Sequence, residues 1–146
     1  MTLPDSSPAN EKTHIVIDTN IVLDLLVFKD PATTPLQQAL DTNQLNWLAT
    51  QHMRDELVRV LAYPQIVERL NFYKLLADDV LTAFDNQAHL VDVAPKASVT
   101  CSDADDQKFI DLAVAHTALL LSKDKAVTSM TKRLLALGVQ VRLSMT

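Results

Sequence analysis

Two aspartates of this sequence stand where apolar strands are predicted to end. Asp18 closes a β-branched run that begins at His14, and Asp124 lies two residues after a strand predicted over residues 118–122. Ligands of parallel α/β proteins collect beyond the carboxyl ends of the strands, so both carboxylates are expected at one edge of a sheet. A compact acidic site can hold divalent cations, which invert the local charge. A chain with a formal net charge of −5 could then handle nucleic acid without a broad basic face.

Two further carboxylates are predicted to lie on the apolar faces of helices. Glu56 falls at the border of the apolar stripe of a helix over residues 51–61. Asp106 falls near the centre of the stripe in a helix that ends at about His116. A carboxylate on a core-facing stripe is costly unless something pairs with it. Glu56 and Asp106 therefore need a shared partner more than the acids beside them do.

Each of these acids also has an ordinary structural explanation. Asp18 could cap the first helix, and an acid of the run 103–106 could cap the later one. Asp124 could be a turn residue. Glu56 could pair with Arg59 along a solvated helix face. Four acids at mutually consistent positions are harder to explain in this way than any one of them alone.

The elements that must position these acids alternate between strands and helices. Strands are predicted over residues 14–18, 45–49, 90–93, 118–122 and 139–143, and helices over residues 21–28, 35–40, 51–61, 64–70, 73–88, 103–116 and 125–137. This alternation predicts an α/β fold, a three-layer domain with a central, mostly parallel sheet of about five short strands and helices on both faces. Residues 1–12 are expected to be a flexible N-terminal tail, and residues 13–146 a single domain.

The composition excludes several classes of protein. The chain has 146 residues and is 48% hydrophobic, which is enough for one folded core. Its single cysteine, Cys101, excludes an internal disulfide, and its single glycine, Gly138, excludes glycine-rich phosphate loops. Neither a secretory signal nor an apolar stretch long enough to span a bilayer is evident. We expect a cytoplasmic protein with no membrane association.

Four motifs, taken in order, resemble those of the PIN domain family. They are Ile-Asp-Thr-Asn near the start, a lone Glu56 on a mid-chain helix, Asp-x-Asp-Asp-x-x-Phe-Ile-x-Leu-Ala, and Leu-Leu-Ser-x-Asp. The resemblance spans about residues 15–143 and is closest to the toxin components of bacterial toxin–antitoxin pairs. It implies a ribonuclease that depends on Mg²⁺ or Mn²⁺. It also implies an RNA substrate, a homodimer and an antitoxin protein as partner.

The resemblance also implies which residues form the site. The catalytic residues and metal ligands would be Asp18, Glu56, Asp106 and Asp124. Carboxylate oxygens are hard ligands of the kind that Mg²⁺ and Mn²⁺ prefer. Asp103 is a further candidate ligand, with Asp105 as its rival for that auxiliary role.

Several polar residues are expected to support this site. Asn20 and Ser122 match positions that support the metal ligands in relatives. Lys108 and Lys123 are candidate contacts to the phosphates of the substrate. Lys123 stands where relatives usually have glycine, and this departure bears on how Asp124 reaches the site.

Two other functions stay open on the sequence. A phosphohydrolase with Asp18 as its nucleophile would resemble haloacid dehalogenases, which need a second aspartate at the position of Asn20. A PIN-like module that binds RNA or protein with weak catalysis is the other alternative, because Lys123 lies beside the last aspartate. A nuclease would need Mg²⁺ or Mn²⁺ held by the four carboxylates, and this requirement separates the alternatives.

Overall fold

Five parallel strands form the central sheet of the domain in a computed structural model that describes residues 12–145. The strands are β1 (Thr13–Ile17), β2 (Leu45–Ala49), β3 (Ala88–Leu90), β4 (Leu119–Leu121) and β5 (Val141–Arg142). They are ordered β3-β2-β1-β4-β5, and each pairs in parallel with its neighbours. The prediction of an α/β fold with a parallel sheet of about five strands is therefore confirmed. The tail predicted over residues 1–12 lies outside the described residues except for Lys12.

Eight α-helices connect the strands within the described part of the chain. They are α1 (Thr19–Leu26), α2 (Thr34–Asp41), α3 (Gln51–Leu61), α4 (Pro64–Phe72), α5 (Ala77–Gln87), α6 (Gln107–His116), α7 (Lys125–Thr128) and α8 (Thr131–Leu135). Short 3-10 helices cover Pro31–Thr33 and Ala104–Asp106. No helix among residues 12–145 is both long enough and apolar enough to cross a bilayer.

The order of the strands places a topological switch point between β1 and β4. The chain moves from β1 to β2 and β3 in one direction, and then crosses back to β4 and β5 in the other. Because crossovers between parallel strands are right-handed, the helices of the two halves lie on opposite faces of the sheet. Ligands of such sheets bind at the carboxyl ends of the strands that flank the switch point.

The two strands at the switch point are buried and in register. Ile15 pairs with Leu119 and Ile17 with Leu121. The Asp18 amide then donates to the Leu121 carbonyl at 2.9 Å, which carries the ladder one residue past the end of β1. The packing of these apolar strands therefore sets the position of the polar residues that follow each of them.

Two boundaries around α5 differ from the sequence prediction. The helix predicted over residues 73–88 begins only at Ala77, because Lys74 has a φ of 57°, which a continuous helix does not allow. The Asp79 carboxylate accepts a hydrogen bond from the Leu76 amide at 2.9 Å and marks the new start. The third strand, predicted over residues 90–93, is instead Ala88–Leu90, directly after α5.

The single helix predicted over residues 125–137 is two short helices, α7 and α8. The Ser129 hydroxyl donates to the Ala126 carbonyl at 3.2 Å, and the Thr131 hydroxyl donates to the Thr128 carbonyl at 2.6 Å. Such bonds offer the backbone an alternative to a continuous helix ladder. Gly138, which follows this segment, has a φ of 86°, a left-handed conformation that favours glycine.

Candidate metal centre

Asp18 lies at the carboxyl end of β1 and is 4% exposed. The Ser122 hydroxyl donates a hydrogen bond to Oδ2 of Asp18 at 2.6 Å. The carboxylate makes no side-chain hydrogen bond that caps α1. The main partner of Asp18 is therefore the residue that follows β4, and the capping explanation does not account for its burial.

Asp124 is brought toward the same place through Ser122. The Ser122 hydroxyl oxygen accepts a hydrogen bond from the Asp124 amide at 3.1 Å while it donates to Asp18. Oδ1 of Asp124 accepts from the Ala126 amide at 2.9 Å and caps α7. Asp124 therefore has the ordinary role of a helix cap in addition to its place in the acidic group described next.

Three aspartates converge at the switch point. One carboxylate oxygen from each of Asp18, Asp106 and Asp124 lies within 4.8 Å of the other two. Asp106 ends the 3-10 helix Ala104–Asp106 and is 8% exposed. Its Oδ2 is buried and has no hydrogen-bond partner. A buried carboxylate oxygen without a partner, beside two like charges, is costly until a cation joins the group.

The crowding of these acids raises two of their pKa values. The pKa of Asp106 is raised to about 7, mainly by burial and also by the charge of Asp18 and the contact with Asp124. Burial also raises the pKa of Asp18, and the Ser122 hydrogen bond partly offsets this effect. The group therefore resists full ionisation when no cation is bound.

We expect Asp106 to make the stability of the metal-free protein fall as the pH rises. The folded protein holds the Asp106 proton more tightly than the unfolded chain does. This contribution to stability is complete below the ordinary pKa of 3.8 and is lost as the pH rises through about 7. Melting temperatures measured in EDTA across this range should fall more steeply for the wild type than for Asp106→Asn. Parallel curves for the two proteins would contradict the expectation.

Glu56 lies near the three aspartates but does not join their group. Its Oε1 is 2.6 Å from Nζ of Lys108, and the two side chains are 22% and 27% exposed. The charge of Glu56 also raises the pKa of Asp18, so the two carboxylates interact electrostatically. The partner that the helical pattern required for Glu56 is therefore a lysine on α6.

The remaining predicted residues surround the group without entering it. Asn20 is exposed in the first turn of α1. Asp103 is exposed and accepts a hydrogen bond from the Asp105 amide at 2.9 Å, which caps the 3-10 helix. Lys123 forms an ion pair with Asp24 of α1. Asp103 is not among the three convergent carboxylates, although its charge is one of the causes that raise the pKa of Asp106.

Sequence reasoning missed two residues of α6 that hold the segment leading to Asp106. Gln107 donates to the Val99 carbonyl at 3.0 Å and accepts from the Cys101 amide at 2.6 Å. Asp111 accepts from the Ala97 amide and from Gln107, both at 2.8 Å. The only signal in the sequence is that Asp111 lies one helical turn after Gln107. This spacing is too common to predict that the two side chains bind the preceding loop.

Asp124→Asn should separate the capping role of this residue from a role in metal binding. Asparagine caps helices about as well as aspartate, so we expect a change in unfolding free energy of no more than about 0.5 kcal/mol. The lost charge should weaken the binding of Mn²⁺ by about 10²-fold. Asp124→Ala should lose the cap as well, at a cost of about 1 kcal/mol. Binding of Mn²⁺ by Asp124→Asn with the wild-type affinity would mean that Asp124 serves only as the cap of α7.

The donor set fits a hard divalent cation. Three carboxylates converge, and one of them presents a buried oxygen that no donor among residues 12–145 satisfies. Mg²⁺ and Mn²⁺ take oxygen ligands of this kind and keep water molecules in their remaining positions. A parallel α/β domain with such a group at its switch point belongs to the class of proteins that can hold a metal ion there.

Comparison with known proteins identifies the family. The model of the PIN domain matches residues 14–126, a range that contains Asp18, Glu56, Asp106 and Asp124. The chain belongs to the PIN domain family, whose members are typically metal-dependent nucleases. A search of curated proteins found no match.

Proposed function

We propose that this protein is an endoribonuclease that depends on Mg²⁺ or Mn²⁺. The single observation that carries the proposal is the convergence of Asp18, Asp106 and Asp124, none of which forms an ion pair with a cation of residues 12–145. The family supports nuclease chemistry, and the acidic group is compatible with it. RNA is the substrate class that PIN nucleases act on.

The three aspartates have distinct roles in this proposal. Asp18 is oriented by the Ser122 hydroxyl, and Asp124 by its cap on α7. Asp106 supplies the buried oxygen that needs a cation. When bound to these carboxylates, a divalent ion would activate water for in-line attack on a phosphodiester and stabilise the departing oxygen. Glu56 is the fourth carboxylate of the proposed site and lies beside this group in its ion pair with Lys108.

Substrate binding is assigned to the basic residues around the group. Lys108 and Lys123 are the proposed contacts to RNA phosphates, and each is engaged with a carboxylate in the free protein. Lys123 is the more accessible of the two, since its side chain is 48% exposed. Asn20 and Asp103 are proposed to act at the rim, where both are exposed.

Partners are proposed from the motif resemblance alone. We infer a toxin-like role, in which an antitoxin protein holds the nuclease inactive, and a homodimer as the assembled form. Exposed apolar side chains such as Phe72 and Leu76 offer surface for such contacts. Light scattering of the purified protein would test the dimer, because a monomer at micromolar concentration would contradict it.

The alternatives are less well supported. The phosphohydrolase has no second aspartate two residues after Asp18, because that position is Asn20, which cannot act as a general acid. The binding module was suggested by Lys123, yet the carboxylate of Asp124 lies with those of Asp18 and Asp106 despite this lysine. This placement favours an enzyme over a module that has lost its site.

Cleavage of labelled single-stranded RNA tests the proposed function. The protein is stripped of metal with EDTA and then supplied with Mg²⁺, Mn²⁺ or no ion. We expect cutting only with an ion present, and internal cuts rather than removal of terminal nucleotides. A folded protein that cuts no RNA with either ion would favour the binding module. Cutting that persists in EDTA would contradict the metal-dependent mechanism.

A further inference from the structure

The ion pair between Lys108 and Glu56 divides the four predicted carboxylates into two sets. We propose that Lys108 withholds Glu56 from the metal centre, so that the resting site binds one divalent ion through Asp18, Asp106 and Asp124 alone. The inference rests on the proposed function, because it concerns the same site. In this proposal, Lys108 determines whether three or four carboxylates can bind the metal.

The position of Lys108 is set by several contacts at once. Its Nζ lies 2.6 Å from Oε1 of Glu56 and also contacts the backbone carbonyl of Asp105. The same ammonium lies 4.9 Å from the centre of the Phe109 ring, a distance typical of a cation–π contact. Both members of the ion pair are largely buried, at 27% and 22% exposed. A lysine held by its own helix in this way is a fixed counterion rather than a mobile surface charge.

The three aspartates lack such a counterion. None of the ion pairs among residues 12–145 involves Asp18, Asp106 or Asp124. Among residues 12–145, Oδ2 of Asp106 and Oε1 of Glu56 are both buried without a hydrogen bond, but only Glu56 has an ammonium beside it, that of Lys108 at 2.6 Å. Binding of a divalent ion is therefore most favourable at the three aspartates and least favourable at Glu56.

The charge of Lys108 also bears on how many divalent ions the site can bind. A second divalent ion bound through Glu56 would lie beside the Lys108 ammonium and beside the first ion. Like charges at such separations repel strongly in a partly buried site. Removal of the ammonium should therefore release Glu56 as a ligand, whereas removal of Glu56 should change little while the ammonium is present.

A double-mutant cycle measured by calorimetric titration with Mn²⁺ tests the proposal. The four proteins are wild type, Glu56→Gln, Lys108→Met and the double variant, all stripped of metal. We expect one Mn²⁺ per chain in the wild type, and an affinity within about threefold in Glu56→Gln. Lys108→Met should bind Mn²⁺ at least about tenfold more tightly or bind a second ion, and the double variant should lose this gain.

Two controls keep the interpretation specific. Arg59→Met removes an exposed cation one turn from Glu56 on α3 and should leave Mn²⁺ binding unchanged. Methionine at position 108 keeps an apolar side chain beside Phe109, and Lys108→Gln gives a second test in a polar background. Circular dichroism of every variant establishes that each is folded before its titration is compared.

The outcomes distinguish this inference from the proposed function. If Glu56→Gln weakens Mn²⁺ binding as much as Asp106→Asn does, Glu56 is a ligand of the resting centre. The inference then fails while the metal site stands. Unchanged binding in Lys108→Met also overturns it. A wild-type protein that binds no Mn²⁺ overturns both the inference and the metal-dependent function.

Discussion

Asp106→Asn is expected to abolish metal-dependent cleavage of RNA while making the metal-free protein more stable. The substitution removes one of three convergent carboxylates, and we expect the cleavage rate to fall by at least about 10³-fold. It also removes a buried charge whose Oδ2 has no partner and whose pKa is raised to about 7 by burial and neighbouring charges. We expect a gain of roughly 1–2 kcal/mol in unfolding free energy at neutral pH.

The measurement pairs single-turnover cleavage with thermal unfolding in EDTA. Asp105→Asn is the matched control, because it changes the adjacent, exposed aspartate of the same turn. The control should keep its metal-dependent cleavage and its stability. Lower activity together with higher stability in Asp106→Asn would be typical of a functional residue whose charge is unfavourable until its ligand binds. A loss of both would instead mean that Asp106 serves the fold.

Asp18→Asn is expected to cause a loss of cleavage of similar size, with a different effect on its neighbours. The asparagine can still accept the hydrogen bond that the Ser122 hydroxyl donates, so the contact between β1 and the residue after β4 is kept. The negative charge is lost, and we expect the cleavage rate to fall by roughly 10²–10³-fold. Because the Asp18 charge raises the pKa of Asp106, that pKa should fall in the variant.

Carboxyl-detected NMR titration of the metal-free protein measures this second effect. The Asp106 carboxyl should titrate at a lower pH in Asp18→Asn than in the wild type. Ser122→Ala is a companion variant that keeps the charge of Asp18 and removes its hydrogen bond. We expect it to lose only about 10–100-fold in cleavage, because it alters the orientation of a ligand rather than its identity. An unchanged Asp106 titration in Asp18→Asn would mean that the two carboxylates are not electrostatically coupled.

The convergence of three aspartates was predictable because it follows from local rules. Asp18 and Asp124 follow apolar strands, and the strands of a parallel sheet end at a common edge. Asp106 lies on the buried face of its helix, where a carboxylate needs a partner that compensates its charge. Each of these inferences depends only on the residues next to the acid in sequence.

The partners of the charged residues were not predictable in the same way. Glu56 and Lys108 stand on α3 and α6, and nothing in either local pattern states how closely those helices approach. The pair of Lys123 with Asp24 likewise joins a loop after β4 to α1. Both lysines were expected to contact substrate, and both meet carboxylates that tertiary packing brings to them. Charge pairing across elements depends on distances that periodicity does not encode.

The hydrogen bond between Ser122 and Asp18 joins residues 104 positions apart in the chain. Closing a loop of that length has an entropic cost that other contacts must offset. Asp18 and Asp124 can therefore meet only after β4 has paired with β1. A partly folded chain would lack the acidic group and, with it, the proposed metal site. The proposed nuclease activity would therefore appear together with the complete fold, and a metal ion bound at this site would favour the native state over intermediates that lack it.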